Sequence, residues 1–183
     1  MPEPIHFDYP DVSNADPVII IGAGPAGLFT ALRLIELGKK PIIFERGKDV
    51  SERGKDIAQI QRGGEINPDS NYAFGEGGAG TFSDGKLNTG VNNPRIGWIL
   101  SQMVKAGARE EILYDAKPHV GTDVLLTVVQ NLRKRIISLG GEVRFQAQVT
   151  DIRIENDAVT AVELGNGEII DCEQVVLAIG HSA

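Results

Sequence analysis

Short apolar runs alternate with amphipathic stretches over the first part of the chain, a pattern that is typical of strands alternating with helices. The unbroken β-branched run Val18–Ile21 predicts a strand that is buried on both faces. An apolar face recurs at helical spacing from about Pro25 to Leu37, and a second apolar run covers Pro41–Glu45. This order predicts a β-α-β unit in a parallel sheet. The predicted helix face consists of Leu28, Ala31, Leu32 and Ile35.

The same alternation returns in the second half of the chain. Thr122 is the candidate N-cap of an amphipathic helix over Asp123–Leu139, and Gly140 is placed to end that helix. An apolar strand, Glu142–Phe145, comes directly afterwards. We expect this strand to be the third of the parallel sheet, reached through its crossover helix.

From Gln148 the apolar period changes to about two, which predicts three short strands in an antiparallel meander. Turn residues at Asn156–Asp157 and Gly165–Gly167 separate these strands. The run Gln174–Gly180 then predicts another buried strand. The predicted fold class is therefore α/β, with a central parallel sheet, crossover helices and a β-meander.

The middle of the chain does not follow either period. Residues 46–118 are too polar and glycine-rich for one regular element, and we expect a long insertion whose loops contact a cofactor. Two helices are predicted inside it, at Asp49–Gln61 and Arg95–Lys105. Residues 1–16 lack periodicity and are expected to form an amino-terminal tail, which leaves 17–183 as a single domain.

The first strand ends in the spacing G-x-G-x-x-G, formed by Gly22, Gly24 and Gly27 with Ala23, Pro25 and Ala26 between them. These glycines predict a tight turn, close approach of a pyrophosphate, and close packing of the following helix. Glu45 at the end of the second strand can accept hydrogen bonds from the hydroxyls of an adenosine ribose. We therefore predict a three-layer Rossmann-like domain that binds a dinucleotide, FAD or NAD(P). A glycine turn used only for packing is the alternative.

Composition narrows the class of protein. The chain has 183 residues and a net charge of −7, which argues against a general nucleic-acid-binding surface. The short basic cluster Arg133–Arg135 is interpreted as a solvated helix end. The one cysteine, Cys172, excludes a flavin disulfide reductase mechanism and is interpreted as buried filler. No signal peptide, membrane-spanning run or metal-ligand spacing is evident, so we expect a cytoplasmic protein without a metal.

Residues 71–90 are unusually dense in glycine, hydroxyl and charged residues. Flexible filler is one interpretation. We favour an ordered loop that lies against a flat ligand, because Phe74, Phe82 and Leu87 could anchor it to a core. The backbone N–H groups of Gly77–Thr81 could then hydrogen-bond a pyrophosphate or the polar edge of a flavin.

The predicted meander favours FAD over NAD, because an NAD-binding domain ordinarily reaches its fourth strand through a helix. The sequence resembles bacterial FAD-utilizing or NAD(FAD)-utilizing dehydrogenases, which share the glutathione-reductase-like flavoprotein fold. The resemblance rests on motifs spread over most of the chain after Asp16: Ile20–Phe29, Phe44–Gly47, Phe74–Leu87, Lys117–Asp123 and Leu177–Ala183. Relatives continue into a substrate domain and a closing FAD-binding segment, so we expect this chain to be a truncated form.

The resemblance implies non-covalent FAD in extended form, with NAD(P)H as a possible electron donor in the complete enzyme. It places the pyrophosphate at the three motif glycines and the adenosine ribose at Glu45, with Arg46 beside it. The backbone of Val149 would touch the adenine, and the strand ending at Gly180 would pass close to the cofactor. The residues expected near the isoalloxazine are Gly78, Ala79, Gly80 and Thr81.

Four polar residues have both a structural and a functional interpretation. His119, His181, Asp84 and Lys86 could act near a ligand, but each is as readily a loop-stabilising or solvated side chain. We expect an FAD-dependent oxidoreductase whose catalytic residues, small-molecule substrate and oligomeric state are open. A dinucleotide-binding module without redox turnover is the alternative. An FAD protein that modifies nucleic acid is disfavoured by the acidic charge.

Overall fold

The computed structural model describes residues 9–83, 85–87, 93–115 and 119–180. Among these residues the helices are α1 (Pro25–Glu36), α2 (Val50–Gln61), α3 (Arg95–Lys105) and α4 (Thr122–Ser138). The strands are β1 (Pro17–Ile21), β2 (Lys40–Phe44), β3 (Glu142–Arg144), β4 (Val149–Glu155), β5 (Ala158–Leu164), β6 (Ile169–Asp171) and β7 (Val175–Leu177). Short 3₁₀ segments cover Ala79–Phe82 and Glu110–Leu113.

The strands form two sheets. The parallel sheet has the order β3-β2-β1-β7, and β4, β5 and β6 form a separate antiparallel meander. Asn156 and Asp157 both have positive φ angles, 50° and 62°, at the first hairpin turn of the meander. Such angles match the right-handed twist of a two-residue hairpin, so this predicted turn is confirmed.

Alternation along β1 explains the three layers. Ile20 packs with the helices, including Leu28 and Ile136, whereas its neighbour Ile19 packs with Val162 and Leu164 of the meander. Both isoleucines have no exposed surface. The parallel sheet therefore lies between a helical layer and the meander, as predicted.

Most element bounds differ from the sequence prediction by one residue, and further differences occur at the N-cap of α4 and at β7. Helix α4 begins at Thr122, and its N-cap is Gly121, so Thr122 is not the cap. Strand β7 is shorter than Gln174–Gly180 and is not buried, because Leu177 is 61% exposed. In the described part of the chain β7 pairs only with β1 and lies at the edge of its sheet, where one side lacks a neighbour.

Residues 9–16, predicted to belong to a tail, pack on the helical layer. Val12 is 1% exposed, and its N–H donates to the carbonyl oxygen of Leu139 at 2.8 Å. The Tyr9 hydroxyl donates to Glu36 Oε1 at 2.7 Å, and the Arg135 guanidinium lies 4.1 Å from the Tyr9 ring centroid. This contact also corrects the interpretation of the basic cluster as a solvated helix end. The wider division into tail and domain stays a prediction.

We expect Val12→Ala to lower the free energy of unfolding by roughly 1–3 kcal/mol, because it leaves a cavity in a packed site. Urea denaturation followed by circular dichroism measures this change. Ile154→Ala is the control, since Ile154 is 64% exposed on the meander and its replacement should cost less than about 0.5 kcal/mol. Equal midpoints for Val12→Ala and the unmodified chain would show that residues 9–16 do not support the fold.

Candidate functional site

A cleft of about 530 Å³ opens at the carboxyl ends of β1, β2 and β7. This is the end of an open parallel sheet at which ligands usually bind, and the volume lies within the range of small-molecule sites. Most of the sequence-predicted contact residues lie together in its wall: Gly22, Gly24, Pro25, Ala26, Glu45, Arg46, Gly78, Ala79, Val149 and Gly180.

Four predicted residues do not line the cleft. Ala23 is fully buried, and Gly27 sits where an added Cβ would lie 1.9 Å from the Gly22 carbonyl oxygen. Gly27 therefore allows α1 to pack against the turn, which is the packing role the motif predicts. Gly80 is absent from the cleft wall, and Thr81 is buried with only 1% exposure. The structure therefore does not bring Gly80 or Thr81 to the ligand space.

The turn between β1 and α1 is built from glycines with different tasks. Gly22 has a φ of +110°, and a Cβ there would lie 2.5 Å from the Ala178 carbonyl oxygen. Gly24 has φ −71° and ψ −178°, which any residue can adopt, and a Cβ there would meet nothing within 4 Å. Gly24 therefore keeps space free on the cleft side. The N–H groups in the first turn of any α-helix point outward from its amino end. Because no side chain caps α1, these groups can receive an anion.

Glu45 is fixed at the end of β2 by backbone donors. Its Oε2 accepts a hydrogen bond from the Ala23 N–H at 2.8 Å, and its Oε1 accepts one from the Gly47 N–H at 2.8 Å. The side chain is 6% exposed and lines the cleft. Each carboxylate oxygen can accept a second hydrogen bond, so the carboxylate can bind a ligand without losing its fixed position.

The glycine-rich loop 71–83 is ordered around a residue that the sequence analysis missed. Arg53 of α2 is fully buried, and its Nε donates to the Asn71 carbonyl oxygen at 2.8 Å. Burial lowers its pKa to about 10, so the guanidinium still carries a charge at neutral pH. Val50, Arg53 and Ile57 are the buried residues of α2. Their helical spacing was the signal that could have placed Arg53 on the inner face.

Backbone hydrogen bonds attach the loop to the turn before α1. The Gly77 N–H donates to the Ala23 carbonyl oxygen at 2.9 Å, and the Gly78 N–H donates to Gly75 at 3.1 Å. The Thr81 N–H donates to the Gly78 carbonyl oxygen at 3.3 Å. The prediction that the N–H groups of Gly77–Thr81 serve a ligand is therefore wrong for these three. Their bonds make the loop a wall of the cleft.

Glu76 is a second buried charged residue that the sequence analysis missed. It has no exposed surface, and its Oε2 accepts hydrogen bonds from the Val50 N–H at 2.7 Å and from Arg133 Nη1 at 3.2 Å. Burial raises its pKa to about 7, although both donors act in the opposite direction. Glu76 therefore connects the loop to α2 and α4 and changes its charge near neutral pH.

The apolar residues expected to anchor the loop were predicted correctly in part. Phe82 and Leu87 pack on the core, but Phe74 lines the cleft. The Arg46 guanidinium lies 4.5 Å from the Phe74 ring centroid, and its Nε is 3.5 Å from Asp69 Oδ1. Arg46 and Phe74 therefore form one side of the cleft next to Glu45.

Two of the four polar candidates, His119 and Lys86, are described and do not line the cleft. His119 pairs with Lys86 in an isolated antiparallel bridge, and its side chain is exposed. Asp84 and His181 are outside the described residues. Cys172 is buried as predicted, at 6% exposure beside the meander. In the described ranges no cluster of His, Cys, Asp or Glu could hold a metal ion, and no helix could cross a membrane.

The fold and the cleft define a Rossmann-like domain of the dinucleotide-binding class. The sequence matches the FAD binding domain family over residues 16–181, and the chain belongs to that family. Its cofactor is FAD. The narrower resemblance to NAD(FAD)-utilizing dehydrogenases stays a prediction.

One relative and two solved structures extend the comparison. An uncharacterized protein of Clostridium beijerinckii is 47% identical over 165 residues, which cover 90% of this chain and 31% of the relative. Glycine oxidase from Bacillus cereus has a TM-score of 0.55 at 20% identity, over 90% of this chain and 55% of that one. THI4 from Thermovibrio ammonificans has a TM-score of 0.57 at 18% identity, over 92% of this chain and 58% of that one. The two structures share the fold, and the chain spans about a third of the relative's length.

The raised pKa of Glu76 predicts that the free energy of unfolding depends on pH. Its pKa in the folded chain, about 7, lies above its ordinary value of 4.5, so the folded state holds the proton longer. Stability therefore falls as the pH rises from about 4.5 to about 7. Glu76→Gln removes this titration. From about pH 5 to about pH 8, the stability of the variant relative to the unmodified chain should rise by roughly 2–4 kcal/mol.

Urea unfolding across this pH range measures the difference. Glu65→Gln is the matched control, because Glu65 is an exposed carboxylate just after α2. The stability difference from the unmodified chain should change more with pH for Glu76→Gln than for this control. A Glu76→Gln curve parallel to that of the unmodified chain would contradict the raised pKa.

Proposed function

We propose that this chain is the cofactor-binding part of an FAD-dependent oxidoreductase of the dehydrogenase type, which acts on a small-molecule substrate. The observation that supports this proposal is the convergence in one cleft of the glycine turn, Glu45 and the glycine-rich loop. Family membership over residues 16–181 supports it as well. Bound FAD would supply hydride transfer, and the chain would bind it, orient it and exclude water.

The turn fits the diphosphate of FAD. The bare Cα of Gly24 borders open space, and the first-turn amides of α1, including those of Ala26 and Gly27, carry the positive end of the helix dipole. Gly22 and Pro25 complete this part of the wall. An anion here would receive backbone donors without displacing a side chain.

Glu45 fits the ribose of the adenosine. Its oxygens are held by Ala23 and Gly47 and have remaining capacity to accept hydrogen bonds from two hydroxyl groups. A carboxylate here also disfavours a 2′-phosphate through charge repulsion. Arg46 and the backbone of Val149 line the cleft as well and would contact the adenosine half.

Gly78, Ala79 and Gly180 are the residues we propose for the isoalloxazine end. All three line the cleft, and Gly78 lies against the turn, since a Cβ on it would come within 2.9 Å of Pro25 Cδ. We also propose NAD(P)H as the electron donor of the complete enzyme and a cytoplasmic location. The location is consistent with a single free cysteine, because the cytosol keeps thiols reduced.

Titration of the purified chain with FAD, FMN and NAD, followed by visible absorbance and calorimetry, tests the proposal. We expect saturable binding of one FAD per chain and at least about tenfold weaker binding of FMN, which lacks the adenosine that Glu45 would hold. Anaerobic addition of NADH or NADPH to the FAD-loaded chain then shows whether this part alone accepts electrons, since bleaching of the flavin would require no further domain. Saturable FAD binding supports the proposed cofactor-binding part, and no saturable binding would overturn it.

Gly24→Ala tests the position of the diphosphate. Because the backbone of Gly24 suits any residue and the space beside it is open, the variant should keep the unfolding midpoint of the FAD-free chain. Its FAD dissociation constant should rise about tenfold or more, since the new methyl group occupies space that the diphosphate needs.

Gly97→Ala is the control for Gly24→Ala. Gly97 lies in α3, a Cβ there also meets nothing within 4 Å, and the residue does not line the cleft. This variant should bind FAD like the unmodified chain. Unchanged affinity in Gly24→Ala would show that the diphosphate lies elsewhere.

A further inference from the structure

Arg53 lies behind the glycine-rich loop and does not line the cleft. Its guanidinium is the common donor for carbonyl groups along the inner side of the loop. The accepting carbonyl oxygens, with their distances, are those of Asn71 (2.8 Å), Tyr72 (3.1 Å), Gly75 (3.5 Å), Glu76 (2.7 Å) and Gly78 (2.9 Å).

The surroundings of Arg53 keep this cation in one place. The Phe82 ring centroid lies 5.0 Å from the centre of its guanidinium, and Glu45 and Glu76 favour its charged form. A cation that is removed from water needs such compensation at every donor, because one missing acceptor leaves a buried polar group unsatisfied. The loop carbonyls supply that compensation, so loop and cation fix each other.

The same loop residues face the cleft on their other side. Gly75 and Gly78 accept from Arg53 and also line the cleft, together with Phe74 and Ala79. The Gly77 N–H then joins the loop to the Ala23 carbonyl, and the Ala23 N–H donates to Glu45. The bonds made by Arg53 therefore act on the shape of the wall without any contact between Arg53 and the ligand space.

We propose that Arg53 is a positioning residue for FAD, which sets the loop wall in its binding shape before the cofactor arrives. This inference rests on the proposed function. A loop that is already ordered loses less conformational entropy on binding, so the affinity for FAD depends on Arg53 even though the residue touches no part of the cofactor.

Arg53→Met tests the proposal, because methionine fills part of the same volume and donates no hydrogen bond. We expect its FAD dissociation constant to rise about tenfold or more, and the visible circular dichroism of bound flavin to change. Amide hydrogen exchange in loop 71–78 of the FAD-free variant should become faster, while exchange in β1 and β2 stays slow. Arg53→Lys keeps the charge but not the forked donors, so its affinity should fall between that of Arg53→Met and that of the unmodified chain.

Two controls separate positioning from stability. Arg62→Met removes an exposed arginine just after the same helix and should leave FAD binding unchanged. Val12→Ala weakens the fold away from the cleft and, measured where it is fully folded, should bind FAD within about twofold of the unmodified chain. Equal loss of FAD affinity in Val12→Ala and Arg53→Met would overturn the positioning role.

Three further cases remain. If Arg53→Met does not fold, Arg53→Lys is the variant that tests the inference. An FAD affinity equal to that of the unmodified chain overturns the inference, and a loss of about threefold or more supports it. If Arg53→Met folds and binds FAD normally while Gly24→Ala does not, this inference fails and the proposed function stands. If the unmodified chain does not bind FAD, the proposed function itself has failed.

Discussion

The constraint on which the site depends is the need to satisfy the backbone of a loop that has almost no regular structure. Carbonyl groups in a helix or sheet find donors in their own element, whereas a glycine-rich loop packed against a core must obtain them elsewhere. Arg53 supplies these donors from α2, and the Asp49 side chain caps that helix by accepting from the Ser51 N–H at 2.8 Å. The site is thus supported by a helix that contributes nothing to the cleft wall.

Ala23 connects the parts of the site that come from distant regions of the sequence. Its N–H donates to Glu45 and its carbonyl accepts from Gly77, so one residue joins β2, the turn before α1 and the glycine-rich loop. Because Ala23 is fully buried, these bonds are shielded from water. Ala23 lies between two glycines and has no functional side chain, yet its backbone determines how Glu45 and the loop are placed relative to the turn before α1.

The parallel sheet and the meander could be predicted because their signals are local. The β-branched run before Gly22 identified β1, and turn residues such as Asn156 located the hairpin of the meander. The bounds of α3 matched Arg95–Lys105. Glu45 could be proposed from its position at the end of a strand. In each case a short stretch of sequence contains the whole physical reason for the structure.

The missed features depend on partners that are remote in sequence. The spacing of Arg53 from Val50 and Ile57 could place it on the inner face of α2, but its acceptors lie in a separate loop. Glu76 lies in that polar loop, and only the fold brings Arg133 to it. Leu177 is exposed because β7 lies at the edge of the parallel sheet. The apolar run that forms β7 does not show where in the sheet the strand lies. Val12 sits in a proline-rich, acidic stretch whose packing site, next to Leu139, is formed much later in the chain.

The docking of residues 9–16 determines where the chain can be shortened. The carboxyl of Glu36 has 3% exposed side-chain surface and accepts hydrogen bonds from Tyr9, from Trp98 Nε1 at 3.0 Å and from Arg33. Removing everything before β1 would take away the tyrosine donor and uncover the apolar surface beneath Val12. A protease acting on the native protein should therefore spare this segment, and a recombinant domain should begin no later than Tyr9.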